Sequence, residues 1–269
     1  MEKIDTHCHI VPPGWRKWCE EHGWDKPDGM PCIPEWSAEG HIALMDKLGI
    51  KRSIPSITSP GTLLKRVTRE TNIKISQICR QSPGRFDVEG SLEEIDHALE
   101  LGASGFAAMT NAQVYYMGDS RFDPVFKKLN QHKTRAVVNL LLSGTVTQFE
   151  NLTSLVSHCG ATLPPLVERF SAFSTRMLKS SEKMASERVK EIFSTRFYFD
   201  LAEMPFPDLI HGYLRIGTPE RLLYGSDYPY TPSAVIEILN KTMDEQMKEL
   251  FDQEQLQRIF SRNACELHL

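Results

Sequence analysis

The sequence predicts an α/β protein, and within that class a barrel of parallel strands surrounded by helices. Short strand-like runs alternate with longer helical runs along the chain, which favours parallel strands joined by helical crossovers. Metal-binding residue types end three well-separated strand candidates, at His7 and His9, at His158 and near Asp227. The length of 269 residues matches one barrel of about 250 residues, so we expect a single domain over residues 1–269.

The first strand candidate, residues 3–9, carries the strongest signal. It ends in the pair His7 and His9, and residues two apart on a strand project to the same face. Both imidazoles can therefore reach one divalent cation. A structural histidine pair is the alternative interpretation of this pattern.

The last strand candidate, residues 221–225, leads directly to Asp227. A carboxylate at a strand end can bind a metal and move a proton. The alternative is a helix cap, but Pro229 and Pro232 place the next helix start several residues later. Nitrogen and oxygen donors together predict one divalent metal held by His7, His9 and Asp227. Zn²⁺ is the expected ion, with Mn²⁺ or Fe²⁺ as alternatives.

The remaining elements follow from periodicity and capping signals. Further strand candidates are residues 53–57, 105–110, 153–157 and 197–201. Helix candidates are residues 37–48, 63–80, 91–101, 122–132, 164–173, 185–194, 207–216, 232–242 and 254–267. Ser37 and Gly49 bound the first of these helices, and the spacing of Ser91 and Glu94 is that of a capping box.

Polar residues at or beyond other strand ends are candidate site residues. His158 follows strand candidate 153–157 and predicts a catalytic group or an electrostatic contact with substrate; a histidine bonded to a neighbouring loop is the alternative. Ser59 and Asn111 follow two other strand candidates, where they can contact substrate. Five histidines fall in loops or on helices away from the strand ends and are treated as background: His22, His41, His97, His211 and His268.

A predicted loop over residues 12–34 is rich in tryptophan, including Trp15, Trp18 and Trp24. In a barrel this loop lies over the face that carries active sites. Two interpretations remain open. The tryptophans, Trp24 among them, can form a lid over an apolar ligand, or the loop can pack on its own aromatic side chains.

Composition narrows the function classes. The net charge of −4 and the absence of a basic stripe predict no nucleic-acid partner. No apolar run has the roughly 18 residues that span a bilayer, and no secretory signal is recognised at the N-terminus, so we expect a cytoplasmic protein. The six cysteines show no CxxC spacing and are expected to be reduced, with Cys8 and Cys159 facing the helical layer.

The motifs together resemble one family. Residues 4–9, 28–36, 59–62, 156–160 and 223–229 look like the amidohydrolase-related, metal-dependent decarboxylases, a group that includes aminocarboxymuconate-semialdehyde decarboxylase. The loop at residues 28–31 and the turn at 59–62 look closest to 6-methylsalicylate decarboxylases. The resemblance implies a (β/α)₈ TIM barrel of the metal-dependent hydrolase type, a mononuclear metal, loss of CO₂ from a hydroxybenzoate, and a homodimer.

The resemblance also implies site roles. His7, His9 and Asp227 match the family's metal ligands, and His158 matches a histidine that acts on the substrate. By the same analogy, Asp227 protonates the ring carbon that loses the carboxylate. The expected substrate is a small aromatic carboxylic acid like 6-methylsalicylate, which gives a phenol such as m-cresol, in secondary or aromatic metabolism.

The sequence departs from the family at two places. A mid-chain strand ending in His-Pro, which supplies a further metal-binding histidine, is missing after Lys133, and an apolar strand is missing after Phe86. We therefore expect about six clear strands in an incomplete or distorted barrel. The chain is interpreted as a shortened copy. Two alternative functions stay open: a metal-dependent hydrolase such as a lactonase, and a shortened inactive paralogue that binds no metal tightly.

Overall fold

The computed structural model describes residues 1–26, 30–58, 145–176 and 185–267. It also describes single residues at positions 73, 77, 81, 85 and 141, and the backbone of four short strands between residues 88 and 116. Strands and helices alternate through these segments, as the sequence predicts. Within them, no helix has the length and apolar character needed to cross a membrane.

The strands are β1 (Lys3–His9), β2 (Ile50–Ser56), β3 (Val88–Ser91), β4 (Ala103–Ala107), β5 (Asn111–Ala112), β6 (Tyr115–Tyr116), β7 (Ser154–Val156), β8 (Phe197–Asp200) and β9 (Leu222–Leu223). The helices are α1 (Pro13–Glu21), α2 (Ala38–Leu48), α3 (Thr145–Gln148), α4 (Leu163–Arg176), α5 (Ser186–Arg196), α6 (Leu209–Tyr213), α7 (Ser233–Leu250), α8 (Gln253–Gln257) and α9 (Asn263–Glu266). Single turns at His158–Gly160 and Pro219–Arg221 and a π-helical turn at Arg258–Arg262 complete the list.

Parallel pairing dominates the described strands. β1 pairs with β2, β3 with β4, and β8 lies between β7 and β9, all in parallel, while β5 and β6 form a small antiparallel pair. The first and last strands are also neighbours, because the Thr6 amide donates to the Tyr224 carbonyl at 3.0 Å. That contact is what a barrel requires. The described ladders still form four separate sheets, so a closed ring of eight strands is not seen in this part of the chain.

The predicted gap after Phe86 is wrong. Residues Val88–Ser91 form β3, which pairs with β4 in parallel. The predicted helix start at Ser91 is wrong for the same reason, since Ser91 is the last residue of this strand. A segment of four residues carries too little periodicity to identify, and its pairing with a distant strand decides its conformation.

The strands pack through both of their faces. On one face, β1, β2, β7, β8 and β9 each contribute one apolar residue to a cluster with Ala264: Ile4, Ile54, Leu155, Tyr198 and Leu223. The larger core lies where helices pack on the strands, and Phe193 of α5 meets Phe197 and Phe199 of β8 edge to face there. The strand ends are therefore fixed from two sides, and the polar groups beyond them are held by a rigid frame.

The tryptophan-rich segment is not a plain loop. Pro13 to Glu21 form α1, with a proline at the position that suits the first turn of a helix. Trp15 is 2% exposed and packs with Val11, Cys19 and Ile33. For Trp15, packing within the segment itself is the interpretation that the structure supports. Periodicity did not reveal this helix because its apolar positions are few and it begins with Pro13 and Gly14, residues typical of loops.

The predicted first helix is confirmed. Ser37 caps α2, since its hydroxyl accepts the Gly40 amide at 3.0 Å, and Gly49 ends it in the left-handed region at φ 70°. β2 begins at once with Ile50, so the helix and the strand are joined by a single residue. The short connection packs α2 against β2.

A buried lysine ties β1 to α7. The Lys3 ammonium donates to Asn240 at 2.8 Å and to Asp244 at 3.0 Å, and it lies over the rings of Tyr224 and Phe260. The Lys3 side chain is almost fully buried, and this burial lowers its pKa although Asp244 opposes the shift. A buried ammonium is tolerated only when it is paired and hydrogen-bonded.

We expect the D244A substitution to destabilise the fold, because it removes the Asp244 carboxylate that pairs with the Lys3 ammonium and leaves the hydrogen bond to Asn240. The expected loss in the free energy of unfolding is about 1.5–3 kcal/mol, the usual range for a hydrogen bond to a charged group. Urea unfolding measures it. The control is E245A, an exposed residue on the same helix. Equal unfolding midpoints for the two variants would contradict the role given to this pair.

Candidate metal centre

Two strands bring three polar side chains to one point. His7 and His9 project from the carboxyl end of β1, and Asp227 follows β9. The Nε2 atoms of the two histidines are 3.2 Å apart. The Asp227 Oδ1 atom lies 3.4 Å from the Nε2 of His7 and 3.3 Å from that of His9. The structure thus brings together the three residues that the sequence selects as metal ligands.

The spacing of these three atoms fits a small divalent cation. Ligand bonds of about 2.0–2.1 Å in a tetrahedral site imply ligand atoms about 3.3 Å apart. The three side chains are 9–12% exposed, so solvent reaches the site without filling it. Two imidazole nitrogens and one carboxylate oxygen are donors that Zn²⁺ and Mn²⁺ both accept. The residues present therefore fit a mononuclear metal site.

Asp200, which the sequence analysis did not select, orients His7. It ends β8 and is fully buried. Its Oδ2 atom lies 2.8 Å from the Nδ1 of His7, and its Oδ1 accepts the amides of His158 and Ala202 at 2.9 and 3.1 Å. When Nδ1 of His7 donates to this carboxylate, its Nε2 is directed to Asp227 and His9. A carboxylate behind a metal-binding histidine fixes the ring and raises its basicity.

A signal for Asp200 is present in the sequence. The strand candidate 197–201 contains an acid close to its carboxyl end, which is the argument that selected Asp227. Because the predicted strand ran one residue past the observed β8, Asp200 fell inside it instead of at its end. An error of one residue in a boundary concealed a buried carboxylate.

His9 is held from its other side. Its Nδ1 lies 3.1 Å from the Ser56 hydroxyl at the end of β2, and the Tyr230 ring contacts it edge to face. The Tyr230 hydroxyl lies 2.6 Å from the Thr58 hydroxyl, which joins the segment after β9 to the segment after β2. Both imidazoles thus have one nitrogen engaged and Nε2 turned toward the same point.

The charges at this point favour a cation. Burial alone would lower the pKa of His7, but the carboxylates of Asp200 and Asp227 raise it well above the usual value. Burial and the nearby charge of His7 lower the pKa of His9, although Asp227 opposes this. Burial would raise the pKa of both Asp200 and Asp227, but their histidine partners lower it. Two carboxylates held ionised in a buried site are balanced by positive charge, which the protonated His7 supplies in the metal-free protein. A bound cation would take over that role.

His158 lies beside the three candidate ligands. Its ring centre is 5.0 Å from that of His7, and its side chain is 28% exposed. The Nδ1 atom is 3.4 Å from the Ala202 carbonyl and 3.7 Å from a carboxylate oxygen of Glu203. The backbone has φ 54°, in the left-handed region, and the amide is bonded to Asp200. This position leaves part of the imidazole open to a bound substrate.

The three predicted substrate contacts stay predictions. Ser59 lies outside the described residues, and Asn111 lies in β5, for which only the backbone is described. Trp24 follows α1 and is 43% exposed. Its amide donates to the Cys19 carbonyl at 2.8 Å, so the backbone is tied to α1 while the indole is partly open to solvent. A lid role for Trp24 is compatible with that exposure.

His41, treated as background in the sequence, is a buried neighbour of the site. It is 1% exposed on α2, accepts the indole N–H of Trp36 at 3.2 Å, and packs on the ring of Tyr228. Burial, with smaller contributions from His9 and Arg85, lowers its pKa to about 3. His41 is therefore neutral in the folded protein at any ordinary pH, and it supports the segment that carries Asp227.

We expect His41 to make the fold less stable in mild acid. The unfolded chain binds a proton at His41 near pH 6.5, whereas the folded chain resists it down to about pH 3. The contribution of His41 to the free energy of unfolding is therefore complete above pH 6.5. Below pH 6.5 it falls by up to about 1.4 kcal/mol per pH unit. Urea unfolding between pH 7 and 5 should give a flatter dependence for H41Q. The exposed-histidine variant H211Q is the control, and parallel curves for H41Q and the unaltered protein would contradict the assignment.

The sequence was compared with models of protein families and with curated proteins. The family model described as Amidohydrolase matches residues 4–267, which is nearly the whole sequence. Among curated proteins, 6-methylsalicylic acid decarboxylase acuB of Aspergillus aculeatus is 26% identical over 302 aligned positions, which cover 93% of this chain and 91% of that protein.

Solved structures share the fold. A crystal structure of an amidohydrolase II protein has a TM-score of 0.86 and 23% identity, and covers 99% of both chains. The 5-carboxyvanillate decarboxylase of Novosphingobium aromaticivorans, crystallised with manganese and a nitrobenzoic acid derivative, has a TM-score of 0.78 and 18% identity. That match covers 100% of this chain and 96% of the other.

Proposed function

The chain belongs to the amidohydrolase family, and from this membership and its site geometry we propose that it is a metal-dependent, non-oxidative decarboxylase of small aromatic acids. One observation carries the proposal. The Nε2 atoms of His7 and His9 and the Oδ1 of Asp227 converge within 3.2–3.4 Å at the ends of β1 and β9. This donor set suits a divalent cation, and the 6-methylsalicylate decarboxylase cited above supplies the reaction class.

The cofactor is proposed as one divalent cation. Its chemistry would be to polarise the carboxylate and the adjacent hydroxyl of a hydroxybenzoate. His7, His9 and Asp227 would hold it, and Asp200 would keep His7 in the binding tautomer. Zinc remains the expectation from the donor types, while the manganese in the 5-carboxyvanillate decarboxylase structure favours that ion equally.

The reaction breaks the bond between the ring carbon and the carboxylate, forms a bond from that carbon to hydrogen, and releases CO₂ with one proton consumed. His158 is our candidate for carrying the proton, because its imidazole is partly exposed and adjacent to the candidate ligands. The sequence assigned this proton to Asp227. That role for Asp227 remains the alternative, since its carboxylate faces the same point as the two imidazoles.

The proposed substrate is 6-methylsalicylate or a close hydroxybenzoate, with a phenol as the product. Support for the substrate comes from the acuB decarboxylase, while support for the barrel comes from the full-length fold match. A TIM barrel of the amidohydrolase type, incomplete or distorted by the missing strand, is part of this proposal. The cytoplasmic location and the homodimer remain predictions.

The test is an assay of metal-loaded protein with two classes of substrate. Purified protein loaded with zinc or manganese is given 6-methylsalicylate, and CO₂ and m-cresol are measured. A parallel reaction contains a simple aryl lactone. CO₂ release without lactone opening supports the decarboxylase, and the reverse result supports the alternative hydrolase. Metal uptake without either activity would reject both substrates.

We also propose that the chain is a shortened copy of a family member of the usual length. The alignment with the acuB protein spans 302 positions, more than the 269 residues of this chain, so that protein has residues where this chain has none. Leu141, the described residue in the segment after Lys133, is helical and fully buried, so Leu141 itself is not a strand residue. This supports loss of the strand that ends in His-Pro.

Restoring the segment tests this second proposal. An apolar strand followed by His-Pro is inserted after Lys133, and metal content and CO₂ release are compared with those of the unaltered chain. A matched insertion that ends in Ala-Pro separates the histidine from the strand. Higher metal occupancy in the His-Pro insertion alone is the expected result, and equal occupancy in all three proteins would overturn the proposal.

A further inference from the structure

Asp5 is a buried carboxylate with no place in the proposed metal coordination. It lies on β1, two residues before His7, and is 0% exposed. Its Oδ1 atom accepts the amides of His7 at 3.2 Å and of Ser226 at 3.1 Å. Its Oδ2 atom accepts the hydroxyl of Ser226 at 2.6 Å. In each of these three contacts the Asp5 side chain is the acceptor.

The network continues past Asp227. The Ser226 hydroxyl donates to Asp5 and accepts the Tyr228 amide at 3.2 Å. The amides of Ser226 and Asp227 both donate to the His7 carbonyl, at 3.1 and 2.8 Å. Asp5 therefore holds the His7 amide within its own strand. It also holds Ser226 on one side of Asp227 and, through the Ser226 hydroxyl, Tyr228 on the other side.

Asp227 needs such support. Its backbone has φ 60°, in the left-handed region that residues with a side chain adopt infrequently. This conformation turns the carboxylate toward His7 and His9 and leaves Oδ2 to accept the Thr231 hydroxyl at 2.9 Å. An unfavourable backbone conformation persists only where the surrounding contacts impose it.

We propose that Asp5 and Ser226 are positioning residues that set the separation between the His7 imidazole and the Asp227 carboxylate before a metal binds. Neither residue is among the proposed ligands. Each removes conformational freedom from one ligand-bearing segment, so that the three donor atoms already stand at binding distance. The inference rests on the proposed function in its use of a metal, and it adds which residues outside the coordination determine metal affinity.

The first measurement compares S226A with S53A. Ser53 is also fully buried, lies opposite Asp5 in the β1–β2 register, and has a hydroxyl with no hydrogen-bond partner among the described residues. Both variants remove one buried hydroxyl from the same region. We expect the dissociation constant for Zn²⁺ or Mn²⁺ to rise about 10- to 100-fold in S226A, the usual effect of losing a supporting hydrogen bond, and to stay unchanged in S53A.

The second measurement needs no metal. Amide hydrogen exchange is followed in the metal-free proteins for the segment that contains Asp227 and Tyr228. We expect faster exchange there in S226A and unchanged exchange in S53A. A variant that is merely less stable would show faster exchange throughout the chain, so a change confined to this segment identifies positioning.

D5N provides an independent variant. The substitution conserves shape but places an NH₂ group where an oxygen now accepts hydrogen bonds, so we expect a larger loss of affinity than in S226A. If D5N does not fold, the S226A and S53A pair decides the question.

Three outcomes are distinguishable. Weaker metal binding with locally faster exchange in S226A supports the proposal. Equal affinity in S226A and S53A, or weaker binding without faster exchange, overturns it. If the unaltered protein binds neither metal, the proposed function fails, and the exchange data alone decide whether Asp5 and Ser226 hold the segment.

Discussion

The H7A variant is expected to lose most of its metal and all measurable decarboxylation. His7 is the residue on which the site converges, with Nδ1 held by Asp200 and Nε2 facing His9 and Asp227. Loss of an outer partner of a metal ligand costs about 10- to 100-fold in affinity, so loss of a ligand should cost at least about 100-fold. Elemental analysis after loading with zinc or manganese measures it.

The control is H211A, which removes an exposed histidine on α6. H211A should bind as much metal as the unaltered protein, which excludes binding by surface histidines. Full occupancy in H7A would show that the metal is held elsewhere. In that case the convergence of the two imidazoles would be a structural hydrogen-bonded pair, the alternative that the sequence left open.

The second large effect is expected at Asp200. D200N keeps the shape and removes the charge that fixes the His7 tautomer, so metal affinity should fall about 10- to 100-fold. D200A also leaves the amides of His158 and Ala202 without their acceptor. Removing one partner of a buried charge pair typically costs about 3–5 kcal/mol, and we expect D200A to lose this much free energy of unfolding.

Metal titration and urea unfolding separate these two effects. D208N, at an exposed position before α6, is the control and should change neither quantity. If D200N binds metal as tightly as the unaltered protein, Asp200 does not orient His7 for binding. If D200A unfolds at the same urea concentration as the control, the buried carboxylate contributes nothing to the fold.

Local pattern was enough to find the ligand-bearing segments. The alternation of β1 fixes His7 and His9 on one face, and Ser37 and Gly49 mark the ends of α2 where the structure has them. These features depend on neighbours within a few residues, so a single sequence reveals them. The pairing of β7, β8 and β9 in parallel follows from the alternation of strands with helices in the same way.

Contacts between distant parts of the chain could not be predicted from such local patterns. β3 has four residues and exists because it pairs with β4, and α1 is fixed where Trp15 packs on Ile33. The sequence places His41 on a helix away from the strand ends, where it counts as background, yet α2 buries it against Tyr228. A short stretch of sequence does not reveal which face of a helix will be buried or which short segment will pair with a distant strand.

The sequence by itself determined the alternating α/β order, the histidine pair and the acid near the last strand. The tertiary structure decided that these three side chains meet and that Asp5 bonds to Ser226. It also brought the Asp200 carboxylate to 2.8 Å from the His7 imidazole, although the two residues are 193 positions apart in sequence. The physical reason is that periodicity and capping act over one or two turns, whereas strand neighbours and buried hydrogen bonds are selected by the packing of the whole chain.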